Sequence, residues 1–192
     1  MVKTVATECM AEDKKLKVCI VDLFSVRSEA EFYSKFATAV VGITSSKWEE
    51  RLSVAKEFLS HLRPKISFSP NEQEEVSFDI EWENIAQTPD EIIELPEKIA
   101  RSKGLKLVVC VDEFQAIGEF KDSLAFQRKL RSHWQNHQCV CYCLYGSKRH
   151  MLLEMFSDAS LPFYRFGDLL LLEKISNSDW GDFIAGRFKA TG

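Results

Sequence analysis

Hydrophobic positions along the chain follow two rhythms, one of about 3.6 residues and one of continuous short runs. Val2, Val5, Ala6, Cys9 and Met10 recur at helical spacing until Asp13-Lys14-Lys15 breaks the series. Lys17 to Phe24 is apolar nearly throughout, which predicts a strand of a parallel sheet covered on both faces. Ser28 is placed to cap a helix with Glu29 and Glu31 in its first turn and Phe32, Phe36 and Val40 on its inner face. Ser46–Leu62 predicts a further amphipathic helix, stopped by Pro64. Ile66–Ser69 and Val76–Ile80 alternate around a polar turn and predict a small antiparallel ribbon, part of an insertion over about 64–87. Thr88-Pro89-Asp90-Glu91 predicts a helix start, with the helix running to Lys103, Pro96 as the candidate kink, and Gly104 as its stop. Leu107–Asp112 is the strongest apolar strand, followed by a turn at Glu113-Phe114-Gln115 and a helix from about Phe120 to Trp134. Val140–Tyr145 predicts a strand ending in Gly146-Ser147, then a short helix over Arg149–Phe156, a last strand at Leu169–Leu172 and a helix capped by Ser176. Strands alternate with helices, so the expected fold is α/β with a mainly parallel sheet, in one domain over 1–192.

Composition narrows the function classes. The chain has 192 residues, 45% hydrophobic and 28% charged, an ordinary globular balance, and its 8 Gly and 5 Pro do not describe a long disordered chain. With 25 Lys+Arg against 29 Asp+Glu the net charge is −4, so nothing draws it to nucleic acid in general, and only a local basic patch is left open. No apolar run reaches the roughly 18 residues of a membrane span, and Met1–Met10 lacks a signal-peptide core. Six cysteines without a secretory signal predict reduced thiols and a cytoplasmic protein. Cys139, Cys141 and Cys143 alternate along one strand. Cys139 and Cys143 would lie about 13 Å apart, too far for one zinc ion, so they are expected as small apolar residues of a buried strand. His133 and His137 fall at i, i+4 without a third ligand and are expected on a solvated helix face.

The chemistry concentrates in LKLVVCVDEFQ, where an apolar strand runs straight into Asp112 and Glu113. Ligands of parallel sheets bind at the C-terminal edge of the strands. A carboxylate there can hold Mg²⁺ through water, and a second beside it can polarise an attacking water, which is the layout of a Walker B element. Ser147 follows the next strand at a comparable edge position, within reach of an attacking water or a γ-phosphate. A metal-dependent nuclease using Asp112 and Glu113 is a weaker alternative, because the further acids of a two-metal site are not evident nearby.

The segments VCIVDLFSVRSEAEFY, LVVCVDEFQAI, LYGSKRHMLLEMF and LPFYRFGDLLLLEKI, in that order, resemble a prokaryotic, archaeal-type P-loop ATPase of the AAA-like class. The resemblance covers most of the chain. It implies a three-layer P-loop core with strand order 5-1-4-3-2, ATP as ligand and Mg²⁺ as cofactor. By that resemblance Asp112 is the metal-site acid, Glu113 the water-activating glutamate and Ser147 the sensor on the neighbouring strand. Arg165, in FYRFG, falls near a family arginine, and Gln115 belongs to the DEFQ string.

The chain contains no G-x-x-x-x-G-K-[ST] string to cradle phosphates. Lys3-Thr4 is its nearest remnant, but Val2 stands where a glycine is needed. The expectation is a truncated core that starts inside its first βα unit, lacks the first strand and the C-terminal region, and binds ATP weakly by itself. Two functions compete: an ATP-hydrolysing molecular switch or motor, and a non-catalytic protein-interaction module derived from an ATPase. The missing strand predicts open strand edges and self-association; no protein partner is specified by the residues.

Overall fold

A computed structural model describes residues 2–44, 48–58, 63–70, 76–83, 89–173 and 175–191. Helix α1 (Val2–Glu12) is closed by the turn at Asp13, whose carbonyl accepts from Leu16 N at 3.0 Å, and leads into β1 (Leu16–Asp22). Ser28 caps α2 (Glu29–Gly42) by accepting from Glu31 N at 3.3 Å, as its position predicts. Next come α3 (Trp48–Phe58) and the antiparallel ribbon of β2 (Arg63–Pro70) and β3 (Val76–Glu83). The turn between those strands, and Ser46 and Leu62 at the ends of the expected helix, lie outside the described residues. Helix α4 (Pro89–Lys103) begins on its proline and ends before Gly104, whose φ of +61° is the left-handed stop that glycine adopts freely. The chain continues through β4 (Lys106–Asp112), a 3-10 helix (Phe114–Glu119), α5 (Ser123–Trp134), β5 (Val140–Leu144), α6 (Arg149–Ser157) and α7 (Asn177–Thr191). Ser176 caps α7 through Asp179 N at 3.1 Å.

The main sheet has the order β1-β4-β5, all parallel, with the strongest apolar strand at its centre. Beyond these three adjacent strands, the order that the family resemblance implies has no counterpart among the described residues. Cys19, Val21, Val109 and Val111 face a core completed by Phe32, Phe36 and Val40 of α2, Ile92 and Ile99 of α4, and Phe126, Leu130 and Trp134 of α5. Aromatic rings knit this face together. Phe32 meets Phe126 edge-on at 5.0 Å, and Trp134 stacks on Tyr142 of β5 at 4.1 Å.

Three expectations fail, each for a physical reason. The sheet is not covered equally on both faces. Val140, Tyr142 and Leu144 pack on the core, whereas Cys141 and Cys143 on the opposite face of β5 are exposed, because a strand's side chains alternate and no element covers that side of β5 among the described residues. Leu169–Leu172 is not a strand; the segment is irregular, and Leu170 and Leu172 are 84% and 64% exposed. An apolar run becomes a strand only where an edge receives its hydrogen bonds, and this one pairs with none of the described strands. His133 and His137 do not form a solvated face. Glu94 of α4 meets His133 Nδ1 at 2.6 Å, and the His137 side chain is 1% exposed with its Nδ1 2.8 Å from the Tyr142 hydroxyl. The pair stitches α4 to α5 and β5. Burial holds the His137 imidazole below its ordinary pKa, against the opposing pull of Glu94.

Candidate functional site

β4 delivers Asp112 and Glu113 to the C-terminal edge of the sheet, and β5 delivers Tyr145, Gly146 and Ser147 beside them. The strand ends are tied backbone to backbone. Tyr145 N donates to Val111 O and Phe114 N to Tyr145 O, each at 3.0 Å. Phe114 is fully buried against Trp134, Phe156 and Phe163, which anchors the turn between the two carboxylates and the 3-10 helix. Glu113 itself adopts φ 53° and ψ 40°, the left-handed region, which costs a non-glycine residue roughly 1–2 kcal/mol. Hydrogen bonds to its side chain oppose that cost.

The Glu113 carboxylate gathers three donors. Its Oε1 accepts from Ser147 N at 3.2 Å, its Oε2 from Ser147 Oγ at 3.1 Å, and Oε2 also accepts from Gln115 Nε2. Four residues that the sequence singles out, Asp112, Glu113, Gln115 and Ser147, therefore meet in one place although β4 and β5 are separated by α5. Asp112 Oδ1 accepts from Glu113 N at 2.8 Å, so the Asp112 carboxylate is oriented by the backbone of its neighbour. Arg165 is exposed at φ 51°, with its guanidinium 5.2 Å over the Tyr164 ring, and its amide donates to Phe156 O at 3.2 Å. These contacts tie Arg165 to its own loop, which Arg131 holds through the carbonyls of Pro162 and Tyr164.

Three further residues join the site without having been singled out. Asp22 ends β1 in register with Asp112, so both carboxylates leave adjacent strands on one face. Asp22 Oδ1 accepts from Phe24 N at 2.8 Å. Tyr145 borders Asp112: burial first, then the Asp112 charge and hydrogen bond, push its hydroxyl up to about 12. Gly146 leaves room for Gln115. A Cβ built on it would collide with Gln115 Oε1 and stand 3.2 Å from Glu113 Cα. Gln115 is 2% exposed and its Oε1 has no protein hydrogen-bond partner. Gly146→Ala is expected to expel the Gln115 amide and destabilise the fold by about 1–3 kcal/mol, as overpacking does. Urea unfolding reads this directly; an unchanged midpoint would show that Gln115 is free to move aside.

No family model and no curated protein matches the chain. Among solved structures it is similar to the Walker-type ATPase of Pyrococcus abyssi, with a TM-score of 0.53 and 12% identity, over 98% of this chain and 57% of that one. The chain thus spans little more than half the length of that neighbour. The likeness is one of fold alone: an α/β architecture with a parallel sheet.

Proposed function

We propose that this chain is part of an ATP-binding, ATP-hydrolysing P-loop ATPase of the AAA-like class that works as a molecular switch or motor. The observation that carries the reading is the Glu113 carboxylate at the strand edge, held by both the amide and the hydroxyl of Ser147. In this reading Glu113 polarises the attacking water and accepts its proton. Ser147 fixes the carboxylate and faces the γ-phosphate, and Gln115 keeps Glu113 from rotating away. Arg165 has a role only if its loop swings towards the nucleotide.

The residues fit a hard divalent cation. Among the described residues no three His, Cys, Asp or Glu side chains are gathered into a metal cage. Mg²⁺ in nucleotide sites needs no such cage, because it uses one or two carboxylates, water and phosphate oxygens. Asp112 supplies oxygen acceptors, and Asp22 in register adds a second acidic group at the same edge. The ion would offset charge on the β/γ oxygens; Asp112 would hold it through water.

The test uses Mn²⁺ as a paramagnetic probe with ATP. Asp112→Asn is expected to weaken nucleotide-dependent Mn²⁺ binding at least tenfold, since it removes the charge that faces the ion. Equal binding by both proteins would refute the role of Asp112. A non-catalytic interaction module is the second reading, favoured by the exposed Leu169–Leu172 segment and the uncovered Cys141–Cys143 side of β5. Absence of any ATP-dependent Mn²⁺ signal in either protein would turn the balance to it.

A further inference from the structure

β4 and β5 place Cys110 opposite Cys143 in register, so the two side chains leave adjacent strands on the same face. Neighbouring strands lie about 4.8 Å apart, inside the Cα separation of about 4.4–6.8 Å that disulfides span. Cys110 is 4% exposed, whereas Cys143 is open to solvent. The thiols sense one another. Burial first, then the charge and hydrogen bonding of Cys143, push the Cys110 thiol up to about 12. Cys141, two residues earlier on the same face of β5, is opposite Val108 and has no thiol across from it.

We propose that Cys143 and Cys110 are a peroxide-modified thiol pair, which closes to an intramolecular disulfide joining β4 to β5 directly beneath Asp112 and Ser147. This does not depend on the ATPase reading. Exposure makes Cys143 the entry point, since thiolate character and access govern oxidation. The Cys143 thiolate attacks hydrogen peroxide, the O–O bond breaks, and a sulfenic acid and hydroxide form; the hydroxide takes up the proton that the Cys143 thiol released and becomes water. The Cys110 sulfur then attacks the sulfenyl sulfur. The S–S bond forms, the S–O bond breaks, and the hydroxyl leaves with the Cys110 proton as a second water. Two thiols lose two electrons and one peroxide becomes two waters. A thiol reductant reverses the closure.

The site consequence follows from position. Cys110 stands two residues before Asp112, and Cys143 four before Ser147. A covalent bond there restricts the relative motion of the two strand ends that carry Glu113 and its Ser147 partner.

The experiment is peptide mapping of the chain after brief exposure to hydrogen peroxide, without reductant. The expected product is a monomer lighter by two hydrogens, with Cys110 and Cys143 peptides linked and the link released by dithiothreitol. Cys141→Ser should leave this product unchanged. Cys143→Ser should abolish it, and Cys110→Ser should stop at a sulfenic acid on Cys143 that dimedone traps. Circular dichroism checks that each variant is folded. Linkage of any other pair, disulfide dimers as the main product, or overoxidation of Cys143 equally fast with and without Cys110 would overturn the proposal. Amide exchange at Glu113 and Ser147 should slow in the disulfide form; unchanged exchange would overturn the coupling to the site.

Discussion

Glu97→Ala is expected to destabilise the protein by about 2–4 kcal/mol, because it strips several hydrogen bonds from one buried carboxylate. Glu97 is 5% exposed on α4. Its Oε1 accepts from Arg101 Nε at 2.6 Å and Gln138 N at 3.1 Å, and its Oε2 accepts from Cys139 N at 2.9 Å. The side chain therefore fixes the entry of the chain into β5, and with it the strand that ends at Ser147. Alanine leaves two backbone donors without a partner. The same carboxylate sets an acid dependence. Burial alone would raise its pKa, but Arg101 and the Cys139 and Gln138 amides outweigh burial and hold it below the ordinary 4.5. A depressed folded-state pKa means the stabilisation is complete above the unfolded value and is lost as pH falls through the folded value. Glu94 is depressed in the same sense, its burial outweighed by His133 and His137. Unfolding free energy should thus fall as pH drops below about 4.5, and Glu97→Gln should flatten that fall. Urea titrations across this range check it; an identical pH slope in wild type and Glu97→Gln would contradict the account.

Glu113→Gln is expected to lower ATP hydrolysis about 10²–10⁴-fold, the usual worth of a positioned general base. The amide preserves size and can still accept from Ser147 N at one oxygen. It cannot take a proton from water. It also turns an acceptor into a donor opposite the Gln115 amide nitrogen, so the clasp that orients residue 113 is weakened as well. In the proposed reading nucleotide affinity should change little, because Asp112 and not Glu113 would hold the ion. The split between lost turnover and retained binding separates a catalytic loss from misfolding.

The carboxylate pair and its partner on the next strand were legible because each lies at a boundary in local pattern. Asp112 and Glu113 end an apolar run, and Ser147 follows a glycine after another. Parallel pairing then brings those ends together, which is why residues more than thirty positions apart share hydrogen bonds. Ser28, Gly104 and Ser176 were legible for a similar reason, since caps and stops act within a few residues. Asp22 and Tyr145 were not. Their relevance depends on register, which seats Asp22 beside Asp112, and on a tyrosine at a strand end looking like any other apolar residue. Gly146 read only as the end of a strand, whereas its actual constraint is the approach of Gln115 across the strand ends.

The errors share a cause. Leu169–Leu172 has strand-like composition, but composition does not supply a pairing edge. The cysteines of β5 were assigned to a buried strand from their type. Their exposure was decided by which face of the sheet is covered, a tertiary fact. His137 looked solvated because its partners, Glu94 and Tyr142, come from two other elements.

The measurement that tests the central claim most directly is ATP binding and ATP turnover on one preparation of the protein expressed from its complete reading frame, wild type against Glu113→Gln. The account predicts that wild type hydrolyses Mg-ATP, and that the variant retains bound nucleotide while its turnover falls by about two orders of magnitude or more. Equal turnover by the two proteins, or no hydrolysis by wild type, would contradict it.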